Sequence, residues 1–266
     1  MIEASPTFTL RRGSTPLLLS VPHAGTALPD ALRERLVPRA AGVEDTDWHL
    51  ERLYDFALEL GAGLIVPTYS RYVVDLNRPR EDTPMYAGVN NTGLVPRNFF
   101  SGDALYREGK APTAAEVAQR VAHYWQPYHD ALDTELARLR DVHGHAVLFD
   151  AHSIKSALPW LFEGTLPHLN LGTVAGASCG ASLRAALAGV LAAQQRYSHV
   201  VDGRFKGGYI TRRHGRPDEQ VHAVQLEMCW RCYLDEAQPA NWHEGLANEV
   251  RPLLRALVQS MSGWKP

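Results

Sequence analysis

Five short polar clusters, most of them at the point where an apolar run stops, constrain this chain more than anything else in it. They are Ser20-Val21-Pro22-His23-Ala24-Gly25, Asp45-Thr46-Asp47, Asp75-Leu76-Asn77-Arg78, Asp150-Ala151-His152-Ser153 and Gln225-Leu226-Glu227. The runs at 16–21, 63–67, 71–76, 145–149 and 221–228 have strand length and are mostly apolar, and the first suits a strand buried on both faces of a sheet. Helical spacing falls between them. From Trp48 to Leu60 the apolar residues Leu50, Leu53, Tyr54, Ala57, Leu58 and Leu60 share a face, Gly61 is a stop, and Asp45 or Asp47 caps the start. Residues 113–143 read as helix, with a capping box at Thr113 and Glu116, a kink or division at Pro127 and a stop at Gly144. Two more helices are expected at 182–195 and 246–260, the latter with Pro252 as a kink or as its first turn. This alternation predicts an α/β fold, and polar clusters at strand ends are how such folds present a site.

The chain has 266 residues and no linker-like stretch, so one domain spanning 1–266 is expected. A hydrophobic fraction of 45% supplies a sizeable core, and a net charge of -2 makes no electrostatic case for nucleic acid or an anionic membrane. No apolar run reaches spanning length, and Met1-Ile2-Glu3-Ala4-Ser5 has neither the basic nor the apolar part of a signal peptide. The three cysteines, Cys179, Cys229 and Cys232, are too few and odd in number for a disulfide framework. Cys229-Trp230-Arg231-Cys232 has no second pair to complete a four-thiolate site and reads as buried free thiols, consistent with a reducing cytoplasm.

The clusters carry the donors of a metal hydrolase. His23 follows a buried strand among small neighbours; His152 sits shortly after another strand, with Asp150 two residues away on the same face if the strand continues. Asp45 and Asp47 compete for the carboxylate position, the other acting as a helix cap. Asn77-Arg78 at a strand end suits a carboxylate, since guanidinium offers two parallel N–H groups; a surface ion pair with Glu81 or Asp82 is the structural alternative. Glu227 on an otherwise apolar strand must be paired, solvated or functional, and burial would raise its pKa into the range of a general base. Arg204, Lys206, Arg212, Arg213, His214 and Arg216 follow or lie in the glycine-rich segment 203–209, suited to neutralising a small dianion. The irregular segment 79–111 is long enough to cover a site.

Together these segments resemble the N-formylglutamate amidohydrolase family. The match includes Val21-Pro22-His23-Ala24-Gly25, Asp45-Thr46-Asp47-Trp48-His49, Asp150-Ala151-His152-Ser153-Ile154 and residues 70–79, 92–94, 124–129, 162–167, 203–212 and 221–227. The resemblance implies a zinc-peptidase-like (phosphorylase/hydrolase-like) architecture, a central mixed sheet flanked by helices. It implies one divalent metal ion, zinc by preference, on His23, Asp47 and His152, and Glu227 as base and then acid. Arg71 is expected to stabilise the oxyanion, Asn77 and Arg78 to grip the α-carboxylate, and Arg212, Arg213 or Arg216 the side-chain carboxylate. The implied reaction is hydrolysis of N-formyl-L-glutamate to formate and L-glutamate, in histidine degradation. Its rivals are a related metal amidase for another N-acyl amino acid or peptide, and a non-catalytic binding protein for acidic metabolites. Two local departures from the family pattern are Arg213-His214 in place of a His-Tyr pair and Met85-Tyr86-Ala87-Gly88 in place of Leu-Tyr-Pro-Gly.

Overall fold

The architecture comes from a computed structural model, which describes residues 6–84 and 90–266; the readings made above for Met1-Ile2-Glu3-Ala4-Ser5 and Met85-Tyr86-Ala87-Gly88 fall outside them. Strands β1 (Phe8–Arg11), β2 (Leu17–Ser20), β3 (Gly63–Pro67), β4 (Ala146–Ile154), β5 (Leu169–Gly172), β6 (His199–Val201) and β7 (Val221–Cys229) form one sheet in the order β1-β3-β2-β4-β7-β5-β6. The four central strands β3, β2, β4 and β7 are parallel. β1 and β5 join antiparallel, so the sheet is mixed, as expected. Helices are α1 (Asp30–Arg33), α2 (Leu50–Leu53), α3 (Phe56–Glu59), α4 (Ala114–Arg120), α5 (Gln126–His143), α6 (Ala181–Ala192), α7 (Tyr209–His214) and α8 (Glu244–Gly263).

Strand alternation sorts the core into two layers. Leu17, Leu19, Val147, Phe149 and Leu226 share a cluster with Leu183 and Leu187 of α6 and Leu254 and Leu257 of α8. Leu18, Leu148 and Ala223 belong to the opposite cluster, with Leu132, Leu136 and Leu139 of α5. On this second face the strands change character toward their carboxyl ends. Stepping by two from Leu18 reaches Ser20; from Leu148, Asp150 and His152; from Ala223, Gln225 and Glu227. The register sets Ser20 opposite Asp150, Asp150 opposite Gln225, and His152 opposite Glu227. The chain leaves β2 for β3 on one side and later returns to β4 on the other, so the crevice at the ends of β2 and β4 is a topological switch point, where α/β sheets bind ligands.

Several expected elements differ in detail. The run at 71–76 is no strand: Val73 N–H donates to Ser70 O, Asp75 N–H to Leu94 O and Arg78 N–H to Asp75 O, so the backbone turns while Tyr72, Val73 and Val74 pack into the core. The helix expected from Trp48 to Leu60 is two single turns, α2 and α3, and Gly61 stops the second at φ 77°. Thr113 and Glu116 form both halves of the capping box of α4, and Gly144 ends α5 at φ 81°. Between α4 and α5 the division falls just before Pro127, in a π-turn over Val121–Trp125. Pro252 lies inside α8 rather than in its first turn. Strands β1, β5 and β6 and helix α7 were not expected; each is four residues or shorter except α7, which has six. All three cysteines are buried and free, and burial pushes the Cys229 thiol up to about 12. Among the described residues no helix is long and apolar enough to cross a membrane.

The turn that delivers His23 from β2 is held by close backbone approach. A Cβ on Gly25 would meet Tyr69 O at 2.3 Å and Pro67 O at 2.9 Å, and the neighbouring Ala27 N–H donates to Thr68 O. Gly25→Ala therefore separates this turn from the 67–69 segment. Urea unfolding is expected to show a loss of about 1–3 kcal/mol, the usual cost of overpacking; unchanged stability would mean that the two segments part without cost.

Candidate metal and substrate site

Three polar atoms converge at the switch point. His23 Nδ1 lies 3.2 Å from His152 Nδ1 and 3.6 Å from Asp47 Oδ2, and His152 Nδ1 lies 3.2 Å from the same oxygen. Each residue arrives from a different element: His23 from the turn after β2, His152 from the last part of β4, and Asp47 from the stretch before α2. Two backbone bonds lock the third into place, Asp47 N–H to His23 O at 3.0 Å and Ser153 N–H to Asp47 Oδ2 at 3.1 Å. All three side chains are buried, and their donor atoms lie mutually within 4.8 Å, as a group able to hold a metal ion requires.

The tautomers follow from what stands behind the rings. His23 Nε2 is 2.7 Å from Asp75 Oδ1, and His152 Nε2 is 3.0 Å from Asp150 Oδ2. A carboxylate accepts only, so each Nε2 carries the proton and each Nδ1 turns its lone pair inward. With both imidazoles neutral, two lone pairs and a carboxylate oxygen face one another, an arrangement that a proton or a metal cation relieves. The charges around the site agree. Burial disfavours a charged His152, yet Asp150 and Asp47 outweigh it and raise the imidazole well above its ordinary value. Burial alone would raise the Asp47 carboxyl; His23 and His152 overcome this and hold it below the usual carboxylate range. Asp75 is likewise held well below that range, with Arg71 and His23 outweighing its burial. Arg71 Nη2 bonds Asp75 Oδ2 at 2.5 Å, and its guanidinium lies 4.6 Å over the Phe100 ring.

A cavity of about 540 Å³ opens onto the triad. Glu227 lines it, and no arginine, lysine or histidine forms an ion pair with this carboxylate among the described residues. Burial raises its carboxyl to about 8, Asp47 and Asp150 acting in the same sense and His152 and Arg71 against it. Asn77 and Arg78 also line the cavity. Asn77 Oδ1 accepts from Ile210 N–H at the start of α7 at 2.8 Å, which fixes its amide. Its Nδ2 lies 3.1 Å from His152 Nε2, which sets the amide beside the triad. Arg78 donates from Nε to Thr92 O, from Nη1 to Asn77 O and from Nη2 to Thr92 Oγ1. Of the five guanidinium N–H groups, two are left, one on each terminal nitrogen.

The N-formylglutamate amidohydrolase profile matches residues 15–234. The chain belongs to the N-formylglutamate amidohydrolase family. It is 52% identical over 256 residues to N-formylglutamate deformylase of Pseudomonas aeruginosa and 48% identical over 256 residues to that of Pseudomonas putida, with 96% of both chains covered in each case. The fold is similar to the crystal structure of N-formylglutamate amidohydrolase from Ralstonia eutropha JMP134 (TM-score 0.79, 24% identity) and to a gene product of Agrobacterium tumefaciens (TM-score 0.72, 18% identity), again with 96% of each chain covered.

Against the residues expected from the family pattern, the structure brings His23, Asp47, His152, Glu227, Arg71, Asn77 and Arg78 to one cavity. It does not bring Arg212, Arg213 or Arg216 there. Arg212 donates to Gly207 O and is exposed, Arg213 is bonded to Asp133, and Arg216 to Glu219. Arg212 and Arg213 lie on α7, and Arg216 follows it, so this short helix turns the segment away from the sheet edge. Arg204 lines the cavity instead. Arg78 is not the surface partner of Glu81 or Asp82; Thr92 takes its side chain. In the sequence Asp75 stands out only as part of its motif; its place behind His23 depends on the 71–76 run being a turn and not a strand. Asp45 lies outside the His23–Asp47–His152 group and caps no helix. Its Oδ2 accepts from Tyr72 OH at 2.9 Å and Phe100 N–H at 3.1 Å, while the N-cap position of α2 is His49, without a side-chain cap. Asp45→Ala leaves these two buried donors unpaired. It is expected to cost about 1–3 kcal/mol in urea unfolding while metal binding persists; metal loss as severe as in Asp47→Ala would place Asp45 in the ligand set after all.

Proposed function

We propose that this chain hydrolyses N-formyl-L-glutamate to formate and L-glutamate, with His23, Asp47 and His152 holding one divalent metal ion, zinc by preference. One observation carries the reading: a two-imidazole, one-carboxylate set and an unpaired buried glutamate face the same cavity. The family context supports it, since relatives about half identical over 96% of their length are N-formylglutamate deformylases. The donor set fits the metal: three protein ligands with inward lone pairs are what an open catalytic zinc site needs. When bound, the ion supplies Lewis acidity to the formyl oxygen and lowers the pKa of the hydrolytic water.

The chain's own groups do the rest. Glu227 takes a proton from the water as its oxygen bonds to the formyl carbon. It returns that proton to the leaving nitrogen as the C–N bond breaks, which releases formate and the free amine. Arg71 has a buried Nε with no acceptor among the described residues and lines the cavity, so it is the donor we assign to the oxyanion. The two remaining N–H groups of Arg78, with the Asn77 amide, hold the α-carboxylate bidentately and orient the amide over the triad. Asp75 and Asp150 keep both imidazoles in the ligating tautomer.

A formate-release assay with and without chelator tests the reading directly. Activity on N-formyl-L-glutamate that falls on chelation and returns with zinc is expected; activity that persists in metal-free protein would remove the ion from the reaction. Glu227→Gln should retain metal but lower kcat by at least about 100-fold, and a near-normal kcat would make Glu227 structural. A second readout concerns stability. In metal-free protein the Glu227 carboxyl rises from an ordinary 4.5 to about 8 on folding, so the folded state binds the extra proton. Stability from this group is present at low pH and is lost as pH rises through the window between those values. Urea unfolding of Glu227→Gln should lack that decline.

The carboxylate behind His23 gives a separate test. Asp75→Asn can present its amide nitrogen to Nε2 and favour the wrong tautomer, besides leaving Arg71 without its partner. Zinc affinity, measured by competition with a chromogenic chelator, is expected to drop about 10- to 100-fold. Unchanged affinity would show that His23 is oriented by its backbone turn alone.

A further inference from the structure

We infer that Arg204 reads the side-chain carboxylate of the substrate and so sets the preference of this site for an acidic over a neutral side chain; this rests on the function proposed above. Three arginines line the cavity, Arg71, Arg78 and Arg204. Arg71 is committed to Asp75 at 2.5 Å. Neither Arg78 nor Arg204 has a carboxylate within ion-pair distance among the described residues, and two unneutralised cations in one cavity match a ligand with two carboxylates. Arg78, beside Asn77 and the triad, suits the group nearer the scissile amide. Arg204 is left for the farther one.

Its surroundings fit that role. The guanidinium lies 5.1 Å from the Phe162 ring centre and 5.9 Å from that of Phe205, and Nη2 donates to Leu161 O. Stacking and one backbone bond hold the cation in place and leave most of its donors free. Leu161, Phe162 and Phe205 also line the cavity, an apolar wall against which the two methylenes of a glutamate side chain can lie.

The segment that carries Arg204 is tied down at both ends. Asp202, at φ 54°, accepts from Thr173 N–H at 2.7 Å and Ala175 N–H at 3.1 Å, and from Arg184 at 3.0 Å. Val174 N–H donates to Lys206 O at 2.6 Å. Val174 and Ala175 both take left-handed backbone, at φ 52° and 55°. Such strain in a β-branched residue persists only where the surroundings enforce it. The loop is thereby presented in one conformation, which an anion anchor needs.

The test compares N-formyl-L-glutamate with N-formyl-L-glutamine, the same shape without the charge, on zinc-loaded wild type, Arg204→Gln and Arg204→Lys. Wild type is expected to prefer the glutamate compound strongly. Arg204→Gln should lower kcat/KM for it by about 10- to 100-fold, mainly through KM, as expected for loss of a hydrogen bond between charged groups. The same change should leave the glutamine compound within about threefold, well inside the scatter of a neutral hydrogen bond. Arg204→Lys should fall between, keeping charge but losing the planar fork. Equal loss on both compounds, or no loss on the first, would overturn the inference. If wild type fails to turn over N-formyl-L-glutamate at all, it is the proposed function that falls. Calorimetry with L-glutamate and L-glutamine then decides Arg204 separately: tighter binding of glutamate by wild type, abolished in Arg204→Gln, supports the anchor, and its absence refutes it.

Discussion

The hydrogen bonds from His23 to Asp75 and from His152 to Asp150 set where everything else in the cavity has to be. Once both Nε2 atoms are spoken for, both Nδ1 lone pairs must face inward, 3.2 Å apart. Asp47 completes the set because its backbone is bonded to His23 and its carboxylate to Ser153 N–H. The two carboxylates are fully buried, and each is compensated by more than one group. Asp75 accepts from His23, Arg71 and Asn77 N–H. Asp150 faces His152 and accepts from Ser20 and Thr211 hydroxyls. An ionised carboxylate in such a place is tolerable only with partners of this number and kind.

The sheet makes this polar assembly possible without breaking the core. A single face of β2, β4 and β7 is apolar where α5 covers it and polar two residues further along each strand. Parallel register keeps the change level across all three strands, so Ser20, Asp150 and Gln225 form one row and His152 and Glu227 the next. Gln225 Oε1 accepts from Gly208 N–H at 2.6 Å and Asn77 Oδ1 from Ile210 N–H, which seats the start of α7 over this row. A Cβ on Gly208 would meet Asn77 Nδ2 at 2.3 Å, so only glycine lets α7 and Asn77 approach this closely. The position of the Asn77 amide on the cavity and that of the helix that carries Arg212 and Arg213 away from it are consequences of the same contact.

What could be read from the chain beforehand was whatever repeats or clusters locally. Short apolar runs of strand length, the Thr113–Glu116 capping box, the glycine stops at Gly61 and Gly144, and polar residues at strand ends all left a signature within a few neighbours. An α/β fold with polar clusters at its strand ends was legible on that basis; the mixed sheet and the roles of the residues at its edge were implied only by the family resemblance. Groups defined by distant partners were not. Tyr72, Val73 and Val74 look like a strand because they are apolar, yet their hydrogen bonds go to turns and to Leu94. Asp45 looks like a cap because it precedes a helix, yet it bonds Phe100, 55 residues on. Arg204 was one cation among six in its stretch; what distinguishes it, an aromatic perch without a counterion, exists only after Phe162 is folded beside it.

The charge balance around the triad ties Glu227 to the same physics. Arg71 lies against Asp75 and largely cancels it, which leaves Asp47 and Asp150 as two negative charges around two imidazoles. The raised affinity of His152 for a proton expresses that surplus. A divalent cation at the convergence point would meet it in full, where a proton meets only half. Glu227 is then the next carboxyl in line: burial, with Asp47 and Asp150 acting in the same sense, outweighs His152 and Arg71 and raises it to about 8. A metal ion held at the triad would favour its ionised form and so ready the base proposed above. The His152–Glu227 register across β4 and β7 is what places this carboxyl on the same cavity as the triad.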